Sequence, residues 1–98
     1  MPPEVRIIGH IYRLNLCKDL GDDELGRCET SRQVIHLNIR QGADSLRDTC
    51  LHEILHAVHY LTGCDDDDIE ERFTSMGATG LRLVLMENPE LTAWILSR

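Results

Sequence analysis

The sequence predicts an α+β fold in which a small, mostly antiparallel sheet packs on one helix, followed by a second long helix and a short C-terminal helix. Three observations support this prediction. Alternating apolar residues occur over residues 5–16 and 34–39. An apolar segment with helical character follows over residues 46–61, and helical periodicity resumes over residues 69–86. Because the chain has only 98 residues, we expect a single domain spanning residues 1–98.

Residues 5–16 are rich in β-branched and large apolar side chains, which favour a strand. Val5 and Ile7 alternate, Gly9 interrupts the pattern, and the alternation resumes from Tyr12 with the opposite parity. A bulge inserts one extra residue and shifts the phase of a strand by one. The pattern therefore predicts one strand with a bulge or bend at Gly9.

Residues 34–39 are expected to form a second, half-buried strand. Three apolar side chains share one face and two polar side chains share the other: Ile35, Leu37 and Ile39 against His36 and Asn38. The short connections between these strand-like runs favour antiparallel pairing.

The helix predicted over residues 46–61 has recognisable ends. Ser45-x-x-Asp48 resembles a capping box with Asp in place of Glu, and Gly63 is placed for a C-terminal cap. Apolar residues surround the predicted helix except along one stripe of histidines. A helix that is apolar on most sides is expected to be buried.

The histidine stripe contains His52 and His56, separated by Glu53 in the spacing His-Glu-x-x-His. On a helix, the two imidazoles lie about 40° apart and about 6 Å along the axis, so both can reach one metal ion. Glu53 lies about 100° from His52, where it could hold and deprotonate a metal-bound water. This is the spacing of a zinc hydrolase. The alternative is a pair of hydrogen-bonded core histidines that bind no metal.

The helix predicted over residues 69–86 offers a third ligand. Glu70 flanks its core-facing stripe, whereas Glu71 points about 150° away from the centre of that stripe. Gly77 and Gly80 lie on the stripe and would let two helices approach closely. Glu70 is therefore the candidate ligand, and the alternative is a solvent-facing Glu pair.

After this helix, Asn88-Pro89-Glu90 predicts the start of the short C-terminal helix, with Leu91, Trp94, Ile95 and Leu96 on its apolar side.

Composition excludes some classes of function. The chain has 10 Lys and Arg against 17 Asp and Glu, a net charge of −7, which argues against a nucleic-acid partner. No apolar run approaches the roughly 20 residues of a membrane span, and no secretory signal is evident, so we expect a cytoplasmic protein.

The four cysteines show no Cys-x-x-Cys spacing and are Cys17, Cys28, Cys50 and Cys64. They are expected to be free thiols, with a second zinc site as the alternative.

Residues 51–91, with the segments LHEILHAVHYLTG, IEERF and GLRLVLMENPEL, resemble the small HExxH proteins of phages, prophages and bacteria in the zincin-like superfamily. They are similar to its gluzincin branch, which includes the ImmA/IrrE-like peptidases. The resemblance implies one zinc ion held by His52, His56 and Glu70, with Glu53 as general base. It also implies a peptide or protein substrate, paired in extended form with the strand over residues 34–39.

The chain departs from the metzincin pattern, which has Gly three residues after the second histidine and a further histidine three residues on. Those positions hold His59 and Thr62, which excludes that class. His59 lies about 10.5 Å along the axis from His52, too far to share an ion whose bonds are near 2 Å, so we expect it at the rim of the site.

The leading hypothesis is a zinc-dependent metallopeptidase. The alternatives are a zinc-stabilised module that binds a protein without cleaving it, and a metal-free protein with a peptidase fold. They differ at the fourth coordination position, which a catalytic site keeps for water. Other divalent transition ions also suit two imidazoles and a carboxylate. Candidates for stabilising an oxyanion remain open among Tyr12, His36 and Tyr60. Oligomeric state is not predicted.

Overall fold

The computed structural model describes residues 1–21, 23–63 and 80–97. In these residues a four-stranded sheet is followed by helices, which confirms the predicted α+β class. The elements are β1 (Glu4–Ile7), β2 (His10–Cys17), β3 (Gly26–Glu29), β4 (Val34–Asn38), α1 (Ala43–Leu61), α2 (helical residues 80–87) and α3 (Pro89–Ile95).

The strand order in the sheet is β1-β2-β4-β3. β1 and β2 form one antiparallel hairpin, and β3 and β4 form another. The two hairpins join through parallel pairing of β2 with β4, in which Arg13 is opposite Val34. β4 is therefore an inner strand with a neighbour on both sides, and β1 and β3 are the sheet edges. The antiparallel pairing expected between the two predicted strands is wrong, because β3 lies between β2 and β4 in sequence and its hairpin with β4 reverses the direction of the chain.

The predicted single strand over residues 5–16 is wrong, because the chain reverses direction in its middle. Ile7 pairs with His10, and the two residues between them both have positive φ, 47° at Ile8 and 80° at Gly9. Positive φ at both central residues is typical of a type I′ hairpin turn. The reversal places Tyr12 opposite Val5 on the same face, which accounts for the change of parity without a bulge.

The structure differs from the predicted strands in two further ways. β3 was not predicted, because Gly26–Glu29 contains no alternation of apolar and polar residues. β4 ends at Asn38, so Ile39 lies outside the strand and is 40% exposed. Ile35 and Leu37 are fully buried, as the alternation predicted.

Helix α1 packs on β3, β4 and β1 through its buried face. The predicted capping box is wrong, since Gly42 is the N-cap residue and makes no side-chain cap. Gly63 has the positive φ of a C-terminal cap, as predicted. The core comprises apolar residues of the sheet and the helices: Val5, Ile7, Tyr12, Leu14, Ile35, Leu37, Cys50, Ile54, Ala57, Val58, Val84 and Leu91.

The remaining helices pack beside α1. A Cβ added at Gly80 would collide with the side chain of Val58, which confirms the predicted close approach of two helices at this glycine. Gly77 lies outside the described residues. Asn88 precedes α3 at the N-cap position, but its side chain makes no cap and instead bonds to the backbone of Arg6 in β1. Leu96, predicted on the apolar side of α3, is 75% exposed.

Candidate metal centre

Two imidazoles meet on the exposed side of α1. The Nε2 atoms of His52 and His56 are 3.0 Å apart, and the rings meet edge to face with centroids separated by 4.7 Å. With Glu53 they form a group whose potential ligand atoms all lie within 4.8 Å of one another. A single helical turn therefore brings the two histidines together with Glu53 beside them, as the spacing predicted, and the group could hold a metal ion.

The distance between the two nitrogens tests whether a metal fits. In a tetrahedral site with metal–nitrogen bonds near 2.05 Å, two imidazole nitrogens lie about 3.3 Å apart. The observed 3.0 Å is close to that value, so the His-Glu-His group can hold a metal ion. The same contact also fits a hydrogen bond in which one neutral imidazole donates an N–H to the other.

Glu53 occupies a different environment from the two histidines. Its side chain is only 6% exposed, whereas His52 and His56 are both exposed. Burial raises the pKa of the Glu53 carboxyl above its ordinary value, and the nearby His56 and His52 act in the opposite direction. A carboxylate with a raised pKa accepts a proton more readily at neutral pH, which is what a general base requires.

Gly26 in β3 allows the strand to lie directly against Glu53. A Cβ added at Gly26 would stand 2.6 Å from Cγ2 of Thr49 and 3.1 Å from Cγ of Glu53. Any larger residue would therefore push β3 away from α1. The burial of the Glu53 carboxylate depends on this close approach.

Gln41 connects the strands and the helix next to this contact. Its Nε2 donates to the carbonyls of Leu25 at 2.9 Å and Asn38 at 2.8 Å. Its Oε1 accepts from the hydroxyls of Ser45 at 2.6 Å and Thr49 at 2.9 Å. One side chain thus joins the start of β3, the end of β4 and the first turns of α1. Sequence patterns gave no signal for this role, because the four partners are distributed over three segments.

An open cleft of about 750 Å³ lies beside His52 and Glu53. Its lining comes from the loop before β3, from the first residue of β3 and from one face of α1: Asp23, Glu24, Leu25, Gly26, Ser45, Asp48, Thr49, His52 and Glu53. The backbone of β3, and not that of β4, borders this cleft. The expectation that the strand over residues 34–39 would pair with a peptide is therefore wrong, since β4 is already paired on both sides.

The backbone of β3 is directed partly to β4 and partly outward. The Asn38 N–H donates to the Leu25 carbonyl at 2.9 Å. In an antiparallel pair such bonding alternates along the strand, so the N–H and C=O groups of Gly26 and Cys28 point to the outer edge. Within the described residues no strand pairs with that edge.

The other edge of the sheet, strand β1, is hydrogen-bonded at Arg6. The N–H of Arg6 in β1 donates to Oδ1 of Asn88 at 2.9 Å, and Nδ2 of Asn88 donates to the Arg6 carbonyl at 2.8 Å. The amide of Asn88 therefore bonds to β1 as a neighbouring strand would.

The other predicted residues differ in where they lie. Glu70 and Glu71 are outside the described residues, so the third-ligand assignment stays a prediction. His59 does not belong to the group formed by His52, Glu53 and His56. Burial lowers the pKa of His59, and His56 adds to this effect.

The three candidates for stabilising an oxyanion lie in different parts of the structure. Tyr12 is a core residue, 1% exposed, and burial raises its pKa. His36 has the opposite strand parity from Ile35, which packs in the core, and its ring bonds to Asn15 and Glu29. It is thus on the far side of the sheet from the metal-binding group. Tyr60 is 62% exposed on α1.

Three cysteines are free thiols, as predicted: Cys17, Cys28 and Cys50. Burial, assisted by the charge of Glu53, raises the pKa of Cys28 to about 11 and that of Cys50 to about 12. Within the described part of the chain, the group that could hold a metal ion is His52, Glu53 and His56 and includes no cysteine. Cys64 lies outside the described residues.

Comparison with protein-family models, with curated proteins and with solved structures finds no match to this chain. Among the helices of the described residues, none has the length and apolar character needed to cross a membrane. The functional assignment therefore depends on the geometry of the His-Glu-His group.

Proposed function

We propose that this protein is a zinc-dependent metallopeptidase that hydrolyses peptide bonds, with Glu53 as the general base. One observation carries the proposal: two imidazole nitrogens converge to 3.0 Å on the same helical turn as a buried carboxylate. The resemblance of residues 51–91 to small HExxH proteins adds to it. Zinc is the proposed metal because two imidazoles and a carboxylate are among its usual ligands.

In this proposal the side chains have separate roles. His52 and His56 bind the ion through Nε2, and Glu70 supplies the third protein ligand. When bound, zinc polarises the scissile carbonyl and makes water more acidic. Glu53 accepts the proton of the attacking water and passes it to the leaving amine. The raised pKa of Glu53 favours this proton transfer.

The outer edge of β3, with which no strand pairs within the described ranges, supplies a way to hold the substrate. An extended peptide that pairs with Gly26 and Cys28 would run past Glu53, because Gly26 is in close contact with that side chain. The edge of β1 is not equivalent, because Asn88 already bonds to it. The cleft lined by β3 and α1 is therefore the proposed substrate site.

Metal analysis and turnover test the proposal together. Protein purified without added metal is incubated with zinc, desalted and assayed by elemental analysis, and then mixed with randomised peptides whose cleavage is followed by mass spectrometry. We expect one zinc per chain and peptide cleavage. Glu53→Gln should retain zinc and lose at least about 100-fold in rate. His52→Ala and His56→Ala should lose zinc, whereas His10→Ala, a change at an exposed histidine of β2, should retain it.

Different results would identify different errors. Zinc binding without cleavage by any preparation would favour a zinc-stabilised binding module. Full activity of Glu53→Gln would disprove the role of Glu53. Failure of the wild-type chain to retain zinc, with no shift in thermal melting on addition of chelator, would favour the hydrogen-bonded histidine pair.

A further inference from the structure

The cleft beside His52 is acidic. Its described lining includes three carboxylates outside the metal-binding group and contains no lysine or arginine. Arg27 neutralises one of them, Glu24, through two hydrogen bonds of 2.8 and 2.7 Å. The other two, Asp23 and Asp48, are exposed and have no ion-pair partner within the described residues. Two negative charges therefore remain to meet a ligand.

Asp48 is placed close to the proposed reaction centre. It precedes His52 by four residues on α1, so the two side chains lie on the same face, about 6 Å apart. A cation bound by Asp48 would thus lie about one helical turn from His52. Asp23 reaches the same cleft from the loop before β3.

A second observation indicates that this cleft takes a ligand. Glu53 lines the cleft, is only 6% exposed, and makes no hydrogen bond with another described residue. A buried carboxylate is costly unless a partner satisfies it. Within the described residues no side chain hydrogen-bonds to this carboxylate, so a molecule that enters the cleft can supply its partner.

We propose that the cleft selects substrates with a lysine or arginine side chain next to the scissile bond, with Asp23 and Asp48 as its acceptors. The inference rests on the proposed peptidase function. The apolar stem of such a side chain can lie on Leu25, which lines the cleft and is 49% exposed. The cationic end then meets the two carboxylates while remaining partly in water. A glutamate at the same position is repelled.

Peptide binding to an inactive variant tests this selectivity without turnover. Zinc-loaded Glu53→Gln protein is titrated with three fluorescein-labelled peptides of one unstructured sequence that differ only in a central Lys, Gln or Glu. We expect the Lys peptide to bind about threefold more tightly than the Gln peptide and about tenfold more tightly than the Glu peptide. The preference should shrink in 0.5 M salt, because exposed charges are screened.

Two substitutions connect the preference to the named carboxylates. Adding Asp23→Asn and Asp48→Asn to the Glu53→Gln background should remove the preference for Lys. Asp44→Asn makes the same chemical change one turn earlier in α1, at an exposed residue that pairs with Arg47 and does not line the cleft. That control should keep the preference. Zinc affinity is measured for every variant.

The outcomes separate this inference from the proposed function. Equal affinity for all three peptides, absence of binding, or a preference unchanged by the two substitutions would overturn it. So would a loss of zinc affinity in Asp48→Asn with the Lys preference intact, since the carboxylates would then serve the ion. A preference that depends on Asp23 and Asp48 in a protein that cleaves nothing would support selectivity and refute the peptidase. Cleavage of randomised peptides with no enrichment of Lys or Arg would support the peptidase and refute the selectivity.

Discussion

Gly26 of β3 and Thr49 of α1 are in such close contact that a methyl group added to the glycine would stand 2.6 Å from Cγ2 of the threonine. Neither side can move freely. The Thr49 hydroxyl bonds to Gln41, and the added methyl would also approach the backbone carbonyl of His36 in β4 at 3.2 Å. The separation of strand and helix at this point is therefore set by the absence of a side chain.

Gly26→Ala is expected to lower the free energy of unfolding by about 1–3 kcal/mol, the usual cost of overpacking. It should also expose the Glu53 carboxylate by moving β3 outward. Urea denaturation measures the first effect. Gly21→Ala is the matched control, because a Cβ there meets nothing within 4 Å. Equal stability of the two variants would contradict the close packing of β3 on α1 at Gly26.

Gln41→Ala is expected to lower the free energy of unfolding by about 3 kcal/mol, because four hydrogen bonds are lost at once. Gln41→Glu tests the two hydrogen bonds that Gln41 donates separately from the two that it accepts. Glutamate can still accept from Ser45 and Thr49, but at neutral pH it cannot donate to the carbonyls of Leu25 and Asn38. We expect it to be at least as destabilising as alanine. Wild-type stability of Gln41→Glu in urea would show that the two donated bonds contribute little.

The buried thiols predict a loss of stability at alkaline pH. The folded protein holds the proton of Cys50 up to a pKa of about 12, whereas the ordinary value is 9.0. Between these values the unfolded chain binds fewer protons, so stability falls as pH rises. Cys28, with a pKa of about 11, acts in the same direction.

Urea midpoints measured from pH 8 to pH 11 should therefore decline above about pH 9. Cys50→Ala should reduce the slope of that decline, even if it also lowers stability at every pH. Cys17→Ala removes a half-buried thiol at the end of β2 and is the control, which should retain the slope. An identical slope in wild type and Cys50→Ala would contradict the raised pKa.

Asn88→Ala is expected to lower the free energy of unfolding by about 2 kcal/mol, because it leaves the N–H and carbonyl of Arg6 without their partner. It also removes a bond of 2.8 Å to the carbonyl of Val84. The freed edge of β1 should promote association of chains, detectable as concentration-dependent sedimentation. Glu87→Ala, a change at the exposed neighbouring residue, should show neither effect.

Local patterns predicted the parts of the fold that local forces determine. The 3.6-residue period identified α1 and placed His52 and His56 on one face. The alternation at Ile35 and Leu37 identified β4. The turn between β1 and β2 was missed because Ile8, a β-branched residue, occupies a left-handed conformation that usually takes Asn or Gly.

What the sequence did not reveal depends on contacts between distant segments. β3 has no pattern of its own and is a strand because it bonds to β4. β4 is an inner strand because it pairs in parallel with β2, across a separation that no local window covers. In the site, the contributions of Gly26 and Gln41 were invisible for the same reason. Their partners lie on other elements, and only the folded arrangement brings them together.

The three residues that could hold a metal lie within five consecutive positions of one helix, 52–56. Their mutual arrangement thus needs no tertiary contact, and the same pentapeptide on another helix would carry it unchanged. The surroundings are not portable in this way. A transplanted Glu53 would lose the strand that shields it, and with it the reason for its altered acidity. What is particular to this protein is consequently less the set of donors than the strand that approaches Glu53 closely through Gly26.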